Sequence, residues 1–203
     1  MKKLFFITLL AVFSIFFMYA SGDGPGTWTQ SLSSAGQIWG IAVAPSSPQT
    51  IYAASNSTGM WKSTNSGANW VQINTGLSNL ILQCVAVSPT NANVVMCGST
   101  NTGTNPGVYR SSDGGSNWTR VVTGITETNI NIQALAIDPV NPNTAYCTLF
   151  DGTTNSPNGL YKTTNGGTLW VPITTGIGTI KNFLAIAVNP LNANVVYAGT
   201  SFD

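Results

Sequence analysis

The sequence predicts an all-β fold, a β-propeller of four-stranded blades, and three observations carry that prediction. A cluster of motifs recurs with a period of about 50 residues. Each copy offers four short apolar stretches separated by turn residues. One isolated stretch, Trp28 to Leu32, matches the last of the four with no partners before it. Four strands per unit at this period is the size of a propeller blade.

The first strand of each unit ends at a proline: Ile41-Ala-Val-Ala-Pro45, Val85-Ala-Val-Ser-Pro89, Leu135-Ala-Ile-Asp-Pro139 and Ile186-Ala-Val-Asn-Pro190. These runs are almost continuously apolar, as expected of a strand covered on both faces. The second strand follows at a constant offset, in Thr50-Ile-Tyr-Ala53, Val94-Val-Met-Cys97, Thr144-Ala-Tyr-Cys147 and Val195-Val-Tyr-Ala198. The third is Gly59-Met-Trp-Lys-Ser63, Gly107-Val-Tyr-Arg-Ser111 and Gly159-Leu-Tyr-Lys-Thr163. It runs into a turn that closes on Trp70, Trp118 or Trp170, and each tryptophan opens the fourth strand. A single sheet of this kind has two faces to bury and must stack on copies of itself.

The units span approximately 33-73, 81-122, 131-173 and 182-203, with 28-32 as a closing strand that pairs with strands of a final blade. About three and a half blades are present, against four to eight in closed propellers, so a truncated chain is expected.

Before the repeats, Lys2 and Lys3 precede an uncharged apolar stretch from Leu4 to Ala20, and Ala20-Ser21-Gly22 offers a small-x-small cleavage site. Residues 1-22 read as a signal peptide, which places the rest outside the cytoplasm, secreted or in the periplasm or at the cell surface, with no membrane attachment after its removal. The chain has 203 residues, only 6% of them charged, a net charge of +1 and no histidine. Lys62, Arg110, Arg120, Lys162 and Lys181 are scattered, so no nucleic-acid footprint is present. Without histidine there is no Ser-His-Asp arrangement, and no metal-ligand cluster or cofactor motif is visible. Cys97 and Cys147 align with Ala53 and Ala198, and Cys84 aligns with Gly40, Ala134 and Ala185. They are expected as buried free thiols that fill small slots.

The turn pattern Ser/Thr-x-Asp-x-Gly-x-x-Trp resembles the Asp-box, or bacterial neuraminidase repeat. Its three copies use Ser63, Asn65, Gly67 and Trp70; Ser111, Asp113, Gly115 and Trp118; and Thr163, Asn165, Gly167 and Trp170. Asn replaces Asp in two of them, which keeps a hydrogen-bond acceptor and drops the charge. The resemblance implies structural turns on the side away from the ligand face. Lys62, Arg110 and Lys162, just before them, are expected as solvated strand residues. Within this superfamily the phrases Ala136-Ile-Asp-Pro-Val-Asn-Pro-Asn-Thr-Ala-Tyr146 and Gly159-Leu-Tyr-Lys-Thr-Thr-Asn-Gly-Gly167 are most similar to the xyloglucanase-type glycoside hydrolases and the sortilin-like group.

The resemblance offers several activities, and the residues narrow them. A sialidase needs three arginines to hold a substrate carboxylate, and this chain has Arg110 and Arg120 only. An inverting glycoside hydrolase needs two carboxylates across the bond. Xyloglucanases carry an essential Asp after the first unit's second strand, where this chain has Tyr52-Ala-Ala-Ser-Asn56, and an Asn cannot move a proton at neutral pH. Asp113 and Asp138 belong to turns, and Asp151 is the one ligand-side candidate. No catalytic residue is therefore assigned. The expected role is an exported module that binds carbohydrate or another extracellular protein, with the hydrolase fragment as the alternative. Asn- and Thr-rich loops at 99–106 and 150–158, and stacking by Trp39 or Phe183, would supply the contacts.

Overall fold

The structure is a computed structural model that describes residues 17–20, 28–127, 129–150, 159–177 and 182–200. Every described element is a strand, and among the described residues no helix is long and apolar enough to cross a membrane. The chain opens with β1 (Phe17–Ala20) and β2 (Trp28–Leu32), which pair with each other antiparallel. The first blade is β3 (Ile38–Val43), β4 (Ile51–Ser55), β5 (Gly59–Ser63) and β6 (Val71–Gln72). The second is β7 (Leu82–Val87), β8 (Val95–Ser99), β9 (Val108–Ser111) and β10 (Thr119–Arg120). The third is β11 (Ile132–Ile137), β12 (Ala145–Leu149), β13 (Leu160–Thr163) and β14 (Val171–Pro172). Finally β15 (Phe183–Val188) and β16 (Val196–Thr200) form a two-stranded sheet. Each sheet is an antiparallel meander in chain order.

The repeated sequence builds the same local geometry each time. At the first turn the N–H preceding the proline donates across the hairpin: Ala44 to Thr50 (2.9 Å), Ser88 to Val94 (2.8 Å), Asp138 to Thr144 (2.9 Å) and Asn189 to Val195 (2.9 Å). Asp138 belongs to this turn, since its Oδ1 accepts the N–H groups of Val140 (2.8 Å) and Asn141 (2.9 Å). The register slips once per unit, between Ile38/Gly40, Leu82/Cys84, Ile132/Ala134 and Phe183/Ala185. A bulge at one repeated position gives each inner strand the same added twist.

The strands β3, β7, β11 and β15 pack side by side in that order, so they form the inner edge of the stack. They approach closely there, and a Cβ on Gly40 would lie 2.9 Å from the Cys84 Cα. Alternate residues face the two neighbours, as the period of a strand requires. Ala42, Tyr52, Ala54 and Met60 of the first blade meet Val85, Val87, Val95 and Tyr109 of the second. Ala86, Met96 and Val108 of the second meet Leu135, Ile137, Ala145 and Tyr161 of the third. Each large apolar side chain sealed in these joints contributes about 1.5–3 kcal/mol. The three cysteines are free, and Cys97 and Cys147 are buried. Burial pushes the Cys84 thiol up to about 12 and the other two well above the ordinary thiol range, which makes them apolar packing groups.

The stretch expected as a closing strand, Trp28–Leu32, forms a strand, and among the described residues it pairs with Phe17–Ala20. An edge strand pairs with whatever strand is within reach, because its free N–H and C=O groups are costly to leave unmet. Leu32 then packs with Ala35, Ile38 and Ala53 against Trp61 and Trp70.

Candidate functional site

Two ends of the stack collect polar side chains, and they differ in what those side chains are doing. At one end lie the three turns before the fourth strands. The Ser63 hydroxyl donates to Asn65 Oδ1 (3.0 Å) and accepts the Gly67 N–H (2.8 Å), while Asn65 Oδ1 accepts the Asn69 N–H (2.8 Å). Ser111, Asp113, Gly115 and Asn117 repeat this at 2.7, 2.8 and 2.9 Å. Thr163, Asn165, Gly167 and Leu169 repeat it at 2.9, 2.9 and 2.9 Å. The bonds use one side-chain oxygen, which explains why Asn and Asp are interchangeable there. Asp113 adds a bond from Asn117 Nδ2 (2.8 Å), and the bonds from the Asn117 side chain and N–H and from Ser111 hold its carboxyl down near about 2. Gly67, Gly115 and Gly167 have φ of 87°, 89° and 87°, the left-handed region where a side chain is strained.

Each tryptophan after the turn ties its blade to the one before. The Trp118 indole N–H donates to the Ile73 carbonyl (2.8 Å) and its backbone N–H to that of Thr75 (2.9 Å). Trp170 does the same to Val121 (2.9 Å) and Thr123 (2.8 Å). Trp70 bonds Ser31 Oγ (3.3 Å), in the slot that Ile73 and Val121 fill elsewhere.

The lysine before the first turn is not a solvated strand residue. Lys62 Nζ crosses to the second blade to donate to the Gly114 carbonyl (2.8 Å) and lies 5.4 Å over the Tyr52 ring. Desolvation lowers its pKa, against the opposing pull of Asp113. The Tyr52 hydroxyl donates to the carbonyls of Ala92 (3.0 Å) and Gly114 (3.3 Å). Arg110 takes the Lys62 position in the second blade, with its Nε buried and unpaired among the described residues. It borders a polar cleft of about 310 Å³ together with Asp113, Asn117, Asn143 and Asn165.

These joints predict an alkaline limit. Burial, aided by the Asp113 charge, raises Tyr52 to about 12, and burial with the bond to Glu127 raises Tyr161 to about 12. A raised pKa means the folded state holds the proton. The stabilisation is complete below the unfolded value near pH 10 and is lost as pH climbs toward about 12. Urea midpoints taken across that window will fall with pH, and the double change Tyr52→Phe, Tyr161→Phe will flatten the slope. An unchanged slope in the double variant would refute this origin.

The opposite end carries the loops from fourth to first strands and from second to third strands. They are laced with amides. Asn56 donates from Nδ2 to Gln37 Oε1 (2.7 Å) and from its N–H to the Gln37 carbonyl (3.0 Å). Asn79 is buried, donating to the Thr100 carbonyl (3.0 Å) and accepting the Ile81 N–H (2.9 Å). Thr104 and Asn105 reach Ser78, and Asn101 bonds Asn129. Gln83 and Gln133 meet across adjacent inner strands (3.4 Å).

The sequence-nominated residues separate here. Trp39 is 44% exposed at the repeat position of Gln83, whereas Phe183 is 3% exposed and packs in the core, one residue out of step with Trp39. Asp151 lies outside the described residues. Glu127, which sequence reasoning gave no role, is 8% exposed in the loop before β11. The Tyr161 hydroxyl donates to its Oε2, and its Oε1 has no hydrogen-bond partner among the described residues. The signal was present in the repeat: Thr126-Glu127 occupies the place of Ser78-Asn79, and Asn79 is also buried. Asp113 and Asp138 are held in turns at the other end, so Glu127 is the single described carboxylate on the loop side. No group of three or more metal-type ligands occurs among the described residues.

This stacking has solved counterparts. An ancestral GH74 enzyme superimposes with a TM-score of 0.66 and 26% identity, over 81% of this chain and 22% of that one. The chain is part of a β-propeller. A GH74 enzyme from Niastella koreensis superimposes with a TM-score of 0.64 and 21% identity, over 85% of this propeller chain and 30% of the enzyme. YCF48 from Cyanidioschyzon merolae gives 0.53 at 16% identity, over 75% and 47%. The propeller segment thus spans less than a third of the length of either GH74 enzyme. No family model and no curated protein matches it.

Proposed function

We propose that this chain is an exported Asp-box propeller segment whose amide-rich loops bind carbohydrate, and that it acts as a recognition module and not as a hydrolase. The observation that carries the reading is the division of labour between the two ends. The turn end spends its side chains on joints, while the loop end carries the amide pairs Gln37–Asn56, Gln83–Gln133 and Asn101–Asn129, with the exposed ring of Trp39 at the repeat position of Gln83. Neutral amides and an aromatic face suit the hydroxyls and C–H faces of sugars. A protein ligand would draw on the same loops.

The hydrolase reading has one observation in its favour, the likeness to an ancestral GH74 enzyme at 26% identity. Against it stands the chemistry, because Asn56 replaces the aspartate expected of a xyloglucanase and Glu127 has no described carboxylate partner on the loop side. Titration of the chain with β-glucan oligosaccharides, beside a reducing-end assay, decides between them. The expected result is saturable binding, weakened by Trp39→Ala, with no new reducing ends. Hydrolysis would overturn the reading in favour of the enzyme, and the absence of binding to any glycan would overturn it in favour of a protein ligand.

A further inference from the structure

In the first two joints a cation of one blade reaches over the turn of the next, and the two joints differ in what meets that cation. In the first, Lys62 donates to the Gly114 carbonyl of the second blade's turn (2.8 Å) and lies in the field of Asp113, which favours its charged form. Its cross-strand partner Tyr52 places a ring beneath the ammonium and donates to the same Gly114 carbonyl (3.3 Å). A carbonyl, a ring and a carboxylate therefore share the lysine charge.

In the second joint Arg110 takes the Lys62 position, and those partners are replaced. Its cross-strand partner is Met96, which has neither an aromatic face nor a hydroxyl. The turn of the third blade carries Asn165 where that of the second carries Asp113, so the carboxylate is gone. The guanidinium packs against Gly166, where a Cβ would lie 3.3 Å from Nε and 3.4 Å from Cζ. It donates to no acceptor among the described residues, and its Nε is buried. Asp113 does not fill the gap, because its oxygens accept from Ser111 (2.7 Å) and from the N–H and Nδ2 of Asn117 (2.9 and 2.8 Å). A buried donor left without an acceptor is costly, and native proteins supply it with a partner.

The space beside Arg110 is the polar cleft of about 310 Å³ that Asn117, Asn143, Asn165 and Thr168 also line. The turn at Asn165 uses only Oδ1, so Nδ2 remains to donate. Lys62 and Arg110 set against Asp113 leave one positive charge unbalanced, which a monoanion closes and a dianion would overshoot beside Asp113. A guanidinium fork holds a planar carboxylate through two parallel bonds. Neutral amides and hydroxyls suit ring hydroxyls, and the volume is at the small end of ligand pockets, enough for one sugar ring. We infer that the cleft between the second and third turns binds a sugar carboxylate, a uronic acid residue of a polysaccharide. Arg110 takes the carboxylate, and Asn143 and Asn165 take the ring hydroxyls. The site lies at the turn end and stands independently of neutral-sugar binding by the loop end.

The probe is trigalacturonate, titrated into the full chain with side-chain amides followed by NMR. Saturable binding is expected, with the amide signals of Asn143 and Asn165 shifting and those of Gln37 and Asn56 unmoved. Two substitutions have a precedent within the repeat: Arg110→Lys brings the residue of the first and third blades, and Asn165→Asp that of the second turn. Arg110→Lys should weaken binding roughly tenfold, the worth of a charge-assisted hydrogen bond. Asn165→Asp should abolish it by giving Arg110 a carboxylate of its own. Trp39→Ala should leave it unchanged while weakening β-glucan binding at the loop end, so the two sites fail separately. A triglutamate peptide and inorganic phosphate should both bind more weakly than trigalacturonate. The inference is overturned if trigalacturonate shows no saturable binding, or binding indifferent to Arg110→Lys or to Asn165→Asp, or binding lost with Trp39→Ala. Equal or tighter binding of triglutamate also overturns it, in favour of a protein carboxylate, as does equal or tighter binding of phosphate, in favour of a dianion.

Discussion

Trp118→Ala will lower the stability of the folded chain by about 3–5 kcal/mol, the usual cost of removing a large aromatic from a packed interior. Trp118 is buried against Tyr52, Met60, Ile73 and Tyr109 at the boundary between the first two blades. Its ring cannot be replaced by collapse, because the surrounding strands are fixed by their own ladders. Its indole N–H also holds the Ile73 carbonyl, so truncation leaves that acceptor without its donor. Trp118→Phe separates the two contributions: it keeps most of the apolar contact and loses the bond, worth about 1 kcal/mol. Urea denaturation of both variants measures the split. Because each repeat contacts only its neighbours, the loss falls on one joint and weakens coupling along the stack. Trp70→Ala should cost less, since Trp70 is half-buried and its ring borders the smaller cluster around Leu32 and Ala35. Equal costs for Trp70 and Trp118 would contradict this account of the joint.

The units and the slots within them were legible because they are local. Proline spacing, the apolar run before it and the tryptophan after the turn each depend on residues a few positions apart, and aligning the units exposed the small-residue slots that Cys84, Cys97 and Cys147 fill. What was not legible depends on contacts between units. Lys62 reads as a surface residue on its own strand, and only the arrival of Gly114, 52 positions away, gives its ammonium a buried partner. Glu127 reads as a loop acid until Tyr161, 34 positions on, closes over it. Phe183 and Trp39 look alike as aromatics near an inner strand, yet they stand one residue out of step in the repeat. A strand sends successive side chains to opposite faces, so that single step buries one and exposes the other.

Gly124→Ala and Gly176→Ala, compared, should divide the cost of a side chain at this repeat position into its backbone and packing parts. Both glycines are left-handed, with φ of 91° and 83°, so both substitutions carry the same conformational penalty of about 1–2 kcal/mol. They differ in what the new methyl meets. At Gly124 it would lie 2.1 Å from the Trp170 carbonyl oxygen and 3.0 Å from Leu169 Cδ1, in a joint whose backbone is held by the Trp170 N–H bond to Thr123. Relief requires moving Trp170 itself, which adds an overpacking cost of about 1–3 kcal/mol. At Gly176 it would meet nothing within 4 Å, so only the backbone penalty applies. Urea midpoints of the two variants should therefore differ by the packing part alone. If the two variants lose the same stability, the close approach at Gly124 is not what selects glycine there, and left-handed backbone alone accounts for both positions.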